Sequence, residues 1–337
     1  METGLSKRAH AFIELGKYLG NLSDNEFDMW AWQAENNNSW FTNANVRQAI
    51  NGIITLLDEK KIRQWIETYS SAFRSKNVGV VMAGNIPAAG FHDFLCVLLT
   101  GHHFYGKLAA TDNVLLRKIS GLLIEIEPAF ADKISFQDML KNMDAYIASG
   151  SDNSAKYFKA YFSKVPHIVR KNRSSVAVLN GEEEGGDLQL LSDDIFTYFG
   201  LGCRNVSKLF VPEGYNFDLF FKSLSKYEGI VNFHKYANNY DYHKSIYLLN
   251  KVEHLDNGFL MLKQDEQIVS PISVVFFEEY KDQAGLQAKL EASREKIQVV
   301  LSANGWYTGS VAFGSAQCPA PWDYADNVDT MKFLMEL

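Results

Sequence analysis

The chain has 337 residues, of which 47% are hydrophobic and 22% charged, and a formal net charge of -7. This is the composition of a folded protein with room for two domains, and it excludes a largely disordered chain. The basic residues are scattered, which argues against nucleic acid as the main partner. No apolar run is long enough for a membrane span, and none follows the first residues to make a signal peptide. Cys96, Cys203 and Cys318 are odd in number and far apart, with no CxxC pair. A reducing, cytoplasmic setting is therefore expected rather than a disulfide framework or a cysteine zinc site.

Residues 5–20 and 44–71 read as helices, the second with Thr42 as N-cap and Val46, Ile50, Ile53, Ile54 and Leu57 at helical spacing. Between them, Met29-Trp30-Ala31-Trp32 and Ser39-Trp40-Phe41-Thr42 lie among asparagines. They read as a long loop packed on the domain, with an aromatic lid over a lipophilic ligand as the alternative. From Val78 the pattern alternates. Strands are predicted at 78–82, 104–108 and 145–148, each followed by a turn and a helix (88–100, 113–126, 154–162). That alternation predicts a parallel sheet with helices on both faces, binding its ligand beyond the carboxyl ends of the strands. Asn85, Lys107 and Ser151 fall at those ends. The stretch 167–170 follows, and from about Ser174 a second α/β domain, with strands at 175–179, 258–262, 268–277 and 297–301 and helices at 215–227, 230–249 and 283–297. The acidic, glycine-rich stretch 180–186 reads as a solvated loop, and 312–324 in the tail as loop-like and aromatic.

Within the second domain, Ile195, Phe196 and Phe199 are spaced for one buried helix face, and 206–212 is a short apolar strand closed by Pro212. Gly200 and Gly202 between them permit a sharp bend that carries Cys203. Arg204 beside it would favour the thiolate; a small buried core cysteine is the alternative. Ser149-Gly150-Ser151 at a helix start is suited to hold a phosphate, or to serve as an ordinary N-cap. Strand-end Lys107 is placed to meet a ribose or phosphate, or simply to be solvated. His102-His103 on a strand would point to opposite faces, which favours a structural role over a shared metal. There is no GxGxxG motif and no P-loop.

Taken in order, these segments resemble the aldehyde dehydrogenase superfamily and, within it, the LuxC-like acyl-CoA reductases. Val78–Pro87 is similar to that superfamily's strand and Trp-Asn-Phe-Pro turn. Ala148-Ser149-Gly150-Ser151 is similar to its Phe-Thr-Gly-Ser motif, and Gln267-Ile268-Val269-Ser270-Pro271 to its Glu-Ile-Phe-Gly-Pro motif. Asn38–Thr42 and the tail with Trp322-Asp323-Tyr324-Ala325-Asp326 are similar to segments of the acyl-CoA reductases. The resemblance implies Cys203 as nucleophile, Asn85 as side-chain donor to the oxyanion, and Lys107, Gly150, Ser151 and Gln267 as cofactor-binding residues. It implies no metal. The domains it implies are 1–173 (N-terminal helices and dinucleotide-binding domain), 174–311 (catalytic domain) and 312–337 (C-terminal tail).

Two departures shape the expected chemistry. The stretch aligned with the water-activating glutamate of hydrolytic members, Val169–Ser175, holds no carboxylate, and a thiol acceptor needs no such base. The position that often holds a ribose-binding glutamate lies near Ala110, so a 2′-phosphate is tolerated and NADPH is the expected cofactor, NADH the alternative. Gln267 replaces a glutamate, and the chain is short for the superfamily, so the dimerisation hairpin is expected to be reduced or absent. The expectation is NADPH-dependent reduction of a fatty acyl thioester, from acyl-CoA or an acyl-protein, to the aldehyde. Arg170, Lys171 and Arg173 are candidates to lower the thiol pKa or bind CoA phosphates, with a solvated surface as the alternative. An acyl-transferase partner and a homo-oligomer are compatible with the resemblance. The alternatives are a CoA-acylating short-chain aldehyde dehydrogenase and a non-catalytic relative that binds acyl groups or a partner.

Overall fold

The computed structural model describes residues 4–69 and 74–337. Met1–Thr3, part of the N-terminal reading, and Ser70–Phe73, which include the end of the helix predicted to residue 71, lie outside the described residues. By contacts the chain divides into Met1–Asn172 with Cys318–Leu337, and Arg173–Gln317.

The first unit opens with α1 (Gly4–Gly20), α2 (Asp24–Asn37), α3 (Asn43–Leu56) and α4 (Glu59–Ile66). Helix α2 corrects the long loop expected there. Ser23 Oγ accepts the Glu26 N–H at 3.3 Å, and Glu26 Oε2 accepts the Ser23 N–H at 3.3 Å. This capping box satisfies donors that the helix start would otherwise leave unpaired. On that helix Trp30 is buried and Trp32 is 65% exposed, so the aromatic cluster is split between core and solvent. The predicted 44–71 helix is two helices, broken at Leu57, with Asp58 capping the second through the Lys61 N–H.

The sheet of this unit contains β1 (Asn77–Val81), β2 (His103–Lys107), β3 (Ile134–Phe136), β4 (Ala145–Ser149) and β5 (His167–Arg170), interleaved with α5 (Phe91–Thr100), α6 (Leu115–Ile126) and α7 (Asp152–Phe162). The strand order is β3-β2-β1-β4-β5 and every pairing is parallel. Val78, Val80, Ala145, Ile147 and Ala148 are fully buried, as strands covered on both faces require. Strand β3 was not predicted; its three residues are too short to show a period. The order reverses between β1 and β4, and such a reversal opens a crevice at the carboxyl ends of those two strands.

The second unit contains β6 (Ser174–Val178), α8 (Gly185–Phe196), β7 (Val206–Pro212), α9 (Asp218–Ser223), α10 (His234–Leu249), β8 (Leu255–Asp256), β9 (Met261–Gln264), β10 (Val274–Tyr280), α11 (Gln283–Ala292), β11 (Ile297–Ser302) and β12 (Val311–Ala312). Its sheet runs β12-β11-β6-β7-β10-β9-β8, parallel except at the β8–β9 edge. The acidic stretch 180–186 is not a freely solvated loop. Glu183 is buried and its carboxylate accepts the N–H groups of Asn180 (2.6 Å) and Gly181 (3.1 Å), while Glu184 and Asp187 cap α8. The strand expected over 268–277 begins only at Val274. Pro271 lacks the donor a ladder needs, and Ser273 takes φ 66°.

The segment 312–337, read from sequence as one tail, is shared between the units, with Cys318–Leu337 belonging to the first. It ends in a helix, α12 (Thr330–Met335), beyond the stretch 312–324 read as loop-like. Met331 and Leu334 are fully buried in the core of the first unit, in one cluster with Phe12, Trp65, Phe94 and Phe104. The Trp65 indole N–H donates to Tyr324 Oη at 2.8 Å, and His102 Nε2 donates to the Leu334 carbonyl at 2.8 Å. His102 Nδ1 accepts the Lys76 N–H at 3.0 Å, so the ring is held by backbone groups at both nitrogens.

Candidate active site

In the first unit, the carboxyl ends of β1, β2 and β4 carry Asn85, Lys107 and Ser149–Ser151. Val81 is level with Lys107 on one side and Ala148 on the other, so the three turns start from one line across the sheet. Asn85 and Lys107 are exposed. The Asn85 turn is fastened from below: Thr111 Oγ1 donates to the Gly84 carbonyl at 2.9 Å, and the Met82 N–H donates to the Lys107 carbonyl at 3.0 Å. Asp112 adds a buried carboxylate that accepts the N–H groups of Ala88 and Ala89, and its burial raises its pKa to about 7. This residue had no sequence signal of its own. It stands two places after Ala110, but its carboxylate serves the start of α5 and is not a substitute for a ribose-binding glutamate.

The second candidate turn leads from β4 into α7. Ser151 takes φ -61° and ψ 163°, and its hydroxyl accepts the Ser154 N–H at 3.3 Å, so it caps the helix. A Cβ on Gly150 would meet Ser154 Cβ at 3.0 Å and Phe158 Cε2 at 3.2 Å, so a larger residue would press on the side chains of α7. A tight turn at the start of an eleven-residue helix, with a lysine at another strand end of the same sheet, is of a kind that can hold a dinucleotide.

In the second unit, Cys203 lies in the loop from α8 to β7, at the amino end of β7, and is exposed; Cys318 is exposed and Cys96 is buried. Exposure decides against the buried-core alternative for Cys203. Burial pushes the Cys96 thiol well up. The bend before Cys203 is sharper than the two glycines imply. Tyr198 (φ 55°, ψ 27°) and Phe199 (φ 57°, ψ 26°) take the left-handed conformation along with Gly200 at φ 77°. Gly202 does not take a positive φ. Two bulky residues held there cost roughly 1–3 kcal/mol each, and the surroundings must supply that. Phe199 stacks on Phe233 with ring centres 4.5 Å apart, and Tyr198 is buried.

The loop is held on three further sides. Ser175 Oγ donates to the Cys203 carbonyl at 3.1 Å, and Arg204 Nη1 donates to the Ala316 carbonyl at 3.4 Å. Asp194, at the end of α8, accepts the N–H groups of Gly314 (2.6 Å) and Ala316 (3.1 Å). Burial raises the Asp194 pKa to about 7. An aspartate ionises near 3.9 when unfolded. The folded state therefore holds the extra proton between about 4 and 7, and stability falls as pH rises through that window. Against Asp194→Asn, the wild-type melting temperature should lose several degrees between pH 5 and pH 8 and level off above about 7. A difference that stays constant with pH would contradict this. Gln267 is exposed in the segment that follows β9, its N–H donating to Asp265 Oδ1 at 2.9 Å. That segment is tied to β7 through Ser207 Oγ, which donates to the Ile268 carbonyl at 2.6 Å.

Arg170, a candidate for tuning the thiol, is committed elsewhere in its own unit. It is buried, its Nη1 lies 2.5 Å from Asp93 Oδ2, and its Nη2 donates to Thr330 Oγ1 at 3.0 Å. Arg173 donates through Nη1 to the Ile297 carbonyl at 3.2 Å. Among the described residues no cluster of three metal-ligating side chains occurs, and no helix is long and apolar enough to cross a membrane.

A scan against protein-family models finds no match, and a search of curated proteins finds none either. Solved structures do match. Aldehyde dehydrogenase 21 from Physcomitrella patens, in complex with the reaction product succinate, is 12% identical, with 99% of this chain and 84% of that one covered at a TM-score of 0.66. An E. coli NADP-dependent enzyme is 12% identical over 89% of this chain and 73% of that one, at 0.65. An aldehyde dehydrogenase of Mycobacterium tuberculosis complexed with NAD+ is 11% identical over 89% and 73%, at 0.61. At such identities the likeness is one of architecture, and it agrees with the parallel sheet, the second sheet and their helices described above. The chain has the fold of the aldehyde dehydrogenases.

Proposed function

We propose that the protein reduces a fatty acyl thioester, carried by CoA or by a protein, to the aldehyde with NADPH, as the LuxC-like acyl-CoA reductases do. The observation that carries this reading is the exposed thiol of Cys203 on a strained, multiply anchored bend. Cys203 Sγ, as thiolate, attacks the acyl carbon. The bond from that carbon to the donor sulfur breaks, and the donor leaves as a thiol once it gains a proton. The Cys203 backbone N–H and the Asn85 amide are the proposed donors to the oxyanion; loss of one such donor typically costs about 100- to 1,000-fold in rate. NADPH, when bound, supplies hydride to the acyl group. Cys203 then releases the carbon as aldehyde and recovers its thiolate. Lys107, Gly150, Ser151 and Gln267 are the residues proposed to hold the cofactor.

One feature supports a thioester over hydrolysis to a free acid: the stretch Val169–Ser175 carries no carboxylate to activate water. The test mixes purified protein with NADPH and palmitoyl-CoA, follows NADPH absorbance and traps aldehyde. One aldehyde per NADPH consumed, with rates that rise along a series from acetyl-CoA upward, is the expected result. Turnover confined to short acyl groups would give the CoA-acylating reading instead. Labelling of Cys203 without NADPH oxidation would give the non-catalytic one.

A further inference from the structure

Asn205, two residues beyond the proposed nucleophile, is 1% exposed and has its backbone and side chain fully engaged. Its Nδ2, with two N–H groups, lies within hydrogen-bond distance of three carbonyls at the end of α8, one hydrogen being shared: Asp194 (3.0 Å), Ile195 (3.3 Å) and Thr197 (2.7 Å). Its Oδ1 accepts the Gly202 N–H at 2.8 Å, and its own N–H donates to the Gly202 carbonyl at 3.0 Å. Carbonyls on one side and an N–H on the other fix which end of the amide is nitrogen. The Asn205 carbonyl accepts the Ser175 N–H and Ser174 Oγ, each at 3.0 Å, tying the same residue to β6.

We propose that Asn205 is a positioning residue for Cys203: its amide closes the left-handed bend at Tyr198–Gly200 against the Gly202–Asn205 turn and so sets where the thiol stands. The inference rests on the reading of Cys203 as nucleophile and adds how that sulfur is placed. Helix α8 ends at Phe196, and its last carbonyls have no helical partner. Asn205 supplies donors to two of them and to Thr197, while its oxygen grips the residue just before the cysteine. One planar side chain thus links the helix end to the thiol loop across the bend. Aspartate has the same shape and keeps the oxygen for Gly202. It offers no N–H to the three carbonyls and would turn an oxygen toward them. Asn205→Asp therefore removes the link with little change in volume.

The experiment compares wild type with Asn205→Asp in three measurements. In thioester reduction, kcat should fall on the order of 100-fold, as misplacement of a reacting group by about 1 Å can cause, with KM for the thioester within about threefold. Alkylation of Cys203 by iodoacetamide, scaled to exposed Cys318 in the same sample, should change less than about threefold, because a small reagent needs the thiol exposed but not aimed. Hydrogen exchange should show the Gly202 amide protected in the wild type and at least about tenfold faster in the variant, which keeps the acceptor but loses the tie to α8 that holds the turn closed. An unchanged kcat, a fall of kcat and alkylation together, or an unprotected Gly202 amide in the wild type would each overturn the inference. Should the variant fail to fold, the wild-type Gly202 exchange decides it. A wild type that reduces no thioester removes the reading of function, and exchange at Gly202 then decides the placement by itself.

Discussion

Cys203→Ala should abolish aldehyde formation and the NADPH oxidation coupled to it, a loss on the order of 10⁴-fold or more, as when a covalent nucleophile is removed from an acyl-transfer enzyme. The reason is chemical: alanine offers no electron pair to the acyl carbon, and Cys96 is fully buried. Cys318 is exposed but has no part in the proposed mechanism, so Cys318→Ser should retain wild-type turnover. Without NADPH, the wild type should gain one acyl group by intact mass when mixed with acyl-CoA, and Cys203→Ala should gain none. Full turnover by Cys203→Ala would end the covalent mechanism. Acylation at another residue would move the nucleophile there.

The largest stability effect is expected at Arg170. The Arg170 and Asp93 side chains are 9% and 8% exposed, and Asp93 Oδ1 and Arg170 Nε have no hydrogen-bond partner. Arg170→Met leaves the Asp93 charge buried without its counter-ion, which typically costs about 3–5 kcal/mol. For a domain of this size that is a fall in melting temperature of about 10 °C. Tryptophan fluorescence should report it well, since Trp30, Trp32, Trp40, Trp65 and Trp322 all lie in the first unit. Changing both partners, Asp93→Leu with Arg170→Met, should recover much of the loss, because nothing charged is then left in the core. A single variant melting within about 2 °C of wild type would show that the pair carries little.

The parallel sheet of the first unit was legible because doubly covered strands are apolar throughout and stand a helix apart, as Val78–Val81 and Ala145–Ala148 do. Helix α2 was not: Met29-Trp30-Ala31-Trp32 has no clean helical stripe, and the deciding signal was Ser23 with Glu26, a capping box four residues long. Helix α12 was hidden by the turn residues around it, and its stability comes from Met331 and Leu334 sinking into a core built by distant residues. At the site, the bend before Cys203 was legible only through Gly200; the left-handed Tyr198 and Phe199 were not. Neither was Asn205, because its partners lie eight to eleven residues upstream and only the left-handed bend brings them round. Nor could the burial of Arg170 be read, since its partner Asp93 is 77 residues away.

The first unit is written in two instalments, with the whole of the second unit between them. On the ribosome, Trp65, His102 and Arg170 must wait for Tyr324, Leu334 and Thr330 until Arg173–Gln317 has been made. At about 5–20 residues per second that delay is on the order of ten seconds. During it the apolar ground that Met331 and Leu334 will cover stands open to water. A nascent chain halted just short of α12 should thus be a better client for a holding chaperone than the finished protein.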